Sequence, residues 1–89
     1  MAAAEEPSVS VTMSQDEALV AFDFLSHVLE DRKGIDLVGL ARDDAELWAL
    51  DRLLGLLERE LAQPFSPDYE VLLKAARDRL SQACGGPWP

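Results

Sequence analysis

The sequence predicts a mainly α-helical protein in which an N-terminal β-strand precedes a compact three-helix bundle, the strand being paired across a homodimer. Three observations carry that prediction. Ser8 to Met13 alternate strictly, with Val9, Val11 and Met13 on one face and Ser8, Ser10 and Thr12 on the other, the period of two that marks a strand. Three later segments repeat apolar residues at steps of three and four between helix start and stop signals. A lone strand leaves backbone donors and acceptors without partners, so its mate must come from later in the chain or from another copy of it.

Residues 1–7 are small, acidic at Glu5 and Glu6, and closed by Pro7, which predicts a flexible acidic arm. One domain is expected over 8–86 and a short tail over 87–89. Ser14 with Glu17 forms a capping box, in which hydroxyl and carboxylate reciprocally satisfy free amides, so the first helix starts there and runs to about Asp31. Its apolar residues Ala21, Phe22, Phe24, Leu25, Val28 and Leu29 span a face wide enough for two neighbours. Arg32 and Lys33 suit the negative helix end, and Gly34 suits the left-handed residue that stops it.

Ile35 to Leu40 is short and apolar, so pattern alone leaves strand and helix open. As a strand it would pair with Val9 to Met13 inside one chain, the main rival to self-association. Asp43 or Asp44 caps the second helix, which ends near Ala62 ahead of Pro64; Leu47, Leu50, Leu54, Leu57 and Leu61 make its seam, widened by Leu53. Ser66 and Pro67 open the third helix, with Asp68 and Glu70 favouring its positive end. Tyr69, Leu72, Leu73, Ala76, Leu80 and Ala83 form its inner face, Glu70, Lys74 and Asp78 pair on its outer face, and Gly85 and Gly86 end it. Short loops predict that the second and third helices lie antiparallel.

With 89 residues, 48% of them hydrophobic, the chain makes a small core to which burial at an oligomer interface would add. Seventeen acidic against eight basic residues give a net charge of −9, which repels phosphate backbones and anionic lipid alike. No nucleic-acid or membrane partner is expected. The same charge would attract a basic protein, although solubility alone also accounts for it. Cys84 is the one cysteine, so an internal disulfide is excluded and a reducing, cytoplasmic location is expected. The start lacks the basic and apolar regions of a secretory signal, and no apolar run approaches the ~20 residues that cross a bilayer.

Chemistry-bearing groups are few, and each has a plain structural reading. Asp23, His27 and Asp31 recur every four residues, a row that invites a divalent ion but lacks the third strong nitrogen or sulfur ligand zinc demands. A solvated helix face is expected there. Cys84 stands at a helix C-terminus, where the dipole opposes a thiolate, and Gly85 and Gly86 lack the Lys-Ser/Thr pair of a phosphate loop. No catalytic, metal or cofactor site is expected.

Trp48 falls off the leucine seam near Arg52, Gly55 and Arg59, and a tryptophan beside arginines on an outer face has the composition of an interface anchor. Leu56 also lies outside the seam. The tentative partner-binding set is therefore Val9, Val11, Met13, Trp48, Arg52, Leu56 and Arg59; against it stands cover of Trp48 by the strand or by Ile35 to Leu40 of the same chain. The expected function is a small interaction module, homodimeric and acting by binding. An immunity protein or antitoxin neutralising a basic toxin or nuclease is the alternative. A strand before helices also resembles the plan of ribbon-helix-helix dimers, whose paired strands read DNA, but Glu5, Glu6, Asp16 and Glu17 would face phosphates.

Overall fold

The computed structural model describes residues 7–89. The predicted arm, 1–7, lies outside the described residues except for Pro7. The order of elements is helix α1 (Gln15–Leu25), a π-helical continuation (Ser26–Asp31), a 3-10 turn (Ile35–Leu37), helix α2 (Asp44–Glu60), a second 3-10 turn (Gln63–Phe65) and helix α3 (Tyr69–Ala83).

The predicted strand is corrected first. Residues 7–14 carry no strand assignment, and among the described residues no backbone hydrogen bond uses Ser8 to Met13. The alternation is present, but a ladder needs a mate, and among the described residues none pairs with it. Its internal rival also falls, because Ile35–Leu37 closes into a 3-10 turn with Leu37 N–H donating to the Gly34 carbonyl at 3.0 Å. Gly39 sits inside the short apolar stretch, and the turn uses its backbone amides locally instead of offering them to a neighbour.

The start of α1 follows the sequence closely. Glu17 N–H donates to Ser14 Oγ at 3.0 Å while Ser14 N–H donates to Glu17 Oε1 at 2.8 Å, completing the capping box. Its end is less regular. From Ser26 the helix widens into a π turn, and the Gly34 N–H reaches back to the Val28 carbonyl at 2.8 Å, one residue further than the closing bond of a Schellman motif. Gly34 is left-handed as predicted, at φ +74, and Lys33 before it is left-handed too, at φ +57. A lysine there bears a steric cost that glycine avoids.

Helix α1 is the centre of the molecule, with α2 and α3 both packed on it and approaching each other much less closely. Its wide apolar face is thereby explained. Leu19 and Leu25 from α1, Leu54, Leu57 and Leu61 from the α2 segment, and Leu73 and Ala76 from α3 form one buried cluster. Leu19, only 2% exposed, was absent from the predicted face, whereas the predicted Phe24 is 59% exposed. In α2 the seam holds at Leu50, Leu54, Leu57 and Leu61, but Leu53 lies on its outer margin.

The third helix begins later than Ser66 suggested. Ser66 Oγ accepts from Asp68 N–H at 3.1 Å, a two-residue turn, and α3 starts at Tyr69. On its predicted inner face Leu73 and Ala76 are buried and Tyr69 packs on the core, while Leu72 and Ala83 are exposed. Lys74 pairs with Asp78 at 3.1 Å without Glu70. Polar ties run between α1 and α3: Asp16 receives both Nε and Nη2 of Arg79 at 2.9 Å, and Asp23 receives Arg77 Nη2 at 2.7 Å. Since the first turn of α1 meets the end of α3, and Asp23 meets its start through Tyr69, these two helices are antiparallel.

Candidate interaction surface

The α2 seam fixes which side of that helix meets solvent. With Leu50, Leu54, Leu57 and Leu61 turned to the core, the roughly 100° per residue of an α-helix places Trp48, Arg52, Gly55 and Arg59 on the opposite stripe and Leu56 at its edge. Trp48 is 66% exposed and Leu56 53% exposed, with Arg52 and Arg59 exposed between them. The 3-10 turn therefore leaves Trp48 uncovered. Neither arginine has a salt-bridge partner among the described residues, and Cβ at Gly55 would meet nothing within 4 Å.

Val9 and Val11 are almost wholly exposed and Met13 partly so. They do not join the Trp48 stripe. The helical run from Gln15 to Asp31 separates the segment that carries them from the far end of α1, roughly 25 Å at helical rise, and it is that far end which borders Trp48. The tentative partner-binding residues thus form two surfaces on one molecule.

Beside Trp48 lies a cleft of about 300 Å³ between the π-helical continuation of α1 with the turn after it and the first half of α2, floored by Leu29 and Leu47 and flanked by Lys33, Asp44 and Asp51. A smaller hollow of about 160 Å³ adjoins it through the shared Leu47 and takes in Leu37, Leu40 and Ala41. Sequence reasoning named Trp48 but missed this cleft. Its signal was available in part: Asp44, Trp48 and Asp51 stand at i−4, i and i+3, the spacing of neighbours on one helix face.

The remaining chemistry-bearing groups are occupied structurally or stand apart. Asp23, expected on a solvated stripe, accepts from Tyr69 Oη at 2.8 Å as well as from Arg77. Burial, and then the bond to the Asp23 carboxylate, hold the Tyr69 phenol well above its ordinary pKa. His27 Nδ1 stands 3.6 Å from Asp31, and among the described residues no three potential ligands are grouped to hold a metal ion. Cys84 is exposed at the end of α3.

Among the described residues no helix is long and apolar enough to cross a membrane. No protein-family model matches the chain, and comparisons with curated proteins and with solved structures find no match.

Proposed function

We propose that this chain is a small acidic interaction module that acts by burial against other proteins and not by turnover, and that it self-associates through Ser8 to Met13. One observation carries the proposal. An alternating segment with Val9 and Val11 89% and 78% exposed has its backbone hydrogen-bonding groups open, and Ile35–Leu37 is committed to a 3-10 turn. A second copy offers a segment of the same length and pattern, which closes an antiparallel ladder by symmetry.

Electrostatics favours the same place. Two chains of charge −9 repel one another, so contact costs least where no charge lies, and Ser8 to Met13 contains none. Trp48, Arg52, Leu56 and Arg59 supply a second surface whose anchors are the residue types that concentrate binding energy. The single cysteine and the acidic composition fit a reducing, cytoplasmic setting.

Sedimentation velocity at low micromolar concentration tests the proposal. The expected result is a species of twice the 9.8 kDa chain mass, reduced to the monomer by Val11→Pro, which removes a ladder donor. A purely monomeric wild-type chain would sink the reading of the N-terminal segment.

A second reading is favoured by the carboxylates around Trp48: a neutralising protein, of the immunity or antitoxin kind, that docks on a basic toxin or nuclease. Such a complex gains its association rate from charge. Its binding must weaken steeply with added salt, and a complex indifferent to salt would exclude it. A DNA-reading ribbon has the opposite charge requirement and finds no support in Glu17, the exposed carboxylate just beyond the segment.

A further inference from the structure

The cleft beside Trp48 is built for more than an apolar side chain. Its floor, Leu29 and Leu47, is greasy, but its rim carries Asp44 one turn before Trp48 and Asp51 one turn after it, on the side of α2 that faces the cleft. Among the described residues neither carboxylate has a salt bridge or a side-chain hydrogen bond. Glu46, in the same first turn, is already held by Arg42 at 2.9 Å. Lys33 stands on the opposite wall, also without a salt bridge. The rim therefore presents two carboxylates to one ammonium, with the positive end of α2 and its capping Asp43 beside Asp44.

We infer that this cleft receives an arginine side chain from a basic partner protein. The inference rests on the reading of the chain as an interaction module and supplies the chemistry of its partner. An arginine satisfies every wall at once. Its aliphatic stem covers Leu29 and Leu47, its guanidinium plane stacks on the exposed indole face, and its N–H groups reach a carboxylate oxygen of Asp44 or Asp51. A purely apolar occupant would strip water from two unpaired carboxylates and return nothing. An anion would meet one lysine against two negative charges. Lysine fits less well than arginine because its compact ammonium holds water more tightly and lacks a planar face.

Lys33 gives the inference a directional test. Its charge opposes an incoming guanidinium, so its removal must strengthen binding, whereas loss of either aspartate must weaken it. The full-length chain, ¹⁵N-labelled and carrying Trp88→Phe so that one indole N–H signal remains, is titrated with the blocked peptide acetyl-Gly-Leu-Arg-Leu-Gly-amide. The control replaces arginine by citrulline, which keeps the shape and removes the charge. The expected result is a saturable shift of the Trp48 indole signal with the arginine peptide, weaker by about two- to fivefold with citrulline. Asp44→Asn or Asp51→Asn weakens the arginine peptide by about two- to fivefold, and Lys33→Gln strengthens it by a similar factor.

Equal binding of the two peptides, or weaker binding by Lys33→Gln, overturns the inference. So does a Trp48 shift that follows protein concentration alone, which would make a second copy the occupant. A monomeric mass in sedimentation leaves the titration untouched, so failure of the self-association reading is told apart from failure of this one.

Discussion

Tyr69, at the first turn of α3, donates its hydroxyl proton to Asp23 in the last turn of α1 at 2.8 Å, across 46 residues of sequence. Arg77 reaches the second oxygen of the same carboxylate at 2.7 Å, so one aspartate is clamped by two groups of the facing helix. Tyr69→Phe removes the phenolic donor while leaving the ring on the core, and a hydrogen bond to a carboxylate is worth about 1.5–3 kcal/mol. A urea unfolding curve should shift to a lower midpoint by that amount with its slope unchanged. The raised phenol adds a sign: its stabilisation is complete below about pH 10, the ordinary tyrosine value, and is lost as pH rises through the higher folded value.

Asp16 and Arg79 fasten the other end of the same helix pair by a two-bonded contact. The hydrogen bonds from Arg79 hold the Asp16 carboxyl below its ordinary value. A group lowered on folding stabilises fully above its unfolded pKa of about 3.9, and that contribution disappears as pH falls through the folded value. Asp16→Asn should therefore flatten the dependence of Tm on pH below about pH 4. Above that range the slope should match wild type.

Adjacent leucines in α2 separate a core position from a marginal one. Leu54 is 3% exposed and Leu53 40% exposed. Leu54→Ala leaves a cavity in the buried cluster and is expected to cost about 2–5 kcal/mol, a large share of the ~5–15 kcal/mol that holds a domain of this kind. Leu53→Ala is expected to cost under about 1 kcal/mol, because much of its side chain is already in water. Chemical denaturation of the two variants checks the contrast; equal losses would mean that α2 is rotated relative to this structure.

That contrast also shows how far the sequence could be read. Capping at Ser14 and Asp43, the left-handed Gly34 and the Leu50 to Leu61 seam are local signals, and local physics decides them. Phe24, Leu19 and Leu53 were misassigned because the position of an apolar residue at the edge of a face depends on where the neighbouring helix lies, which no period reports. Ser66 carried a capping residue's chemistry but spent it on a two-residue turn. The π turn at Ser26–Asp31 leaves no distinct spacing in six residues. Of the candidate surface, Trp48, Arg52, Leu56 and Arg59 were legible as residues that miss the seam. The cleft was not, since Leu29 and Lys33 reach it through the tertiary packing of α1.

Gly55 is the residue by which the two proposed surfaces can be separated. It sits inside α2, where glycine is less favourable than alanine by about 1 kcal/mol, and among the described residues nothing beyond its own stretch of helix lies within 4 Å of the Cβ it lacks. The packing of a single chain gives no reason for a glycine there. Gly55→Ala is therefore expected to raise the stability of the isolated chain by about 0.5–1 kcal/mol, read as a higher urea midpoint. Its effect on self-association then depends on which surface is buried. If Ser8 to Met13 alone joins two copies, the variant dimerises as wild type does. If the helix backbone of α2 meets its counterpart across the Trp48, Arg52 and Arg59 stripe, the added methyl holds the helices apart, and the variant becomes a more stable but more weakly associating protein. Sedimentation of the same sample used for unfolding distinguishes the two, and the proposed ribbon predicts the first.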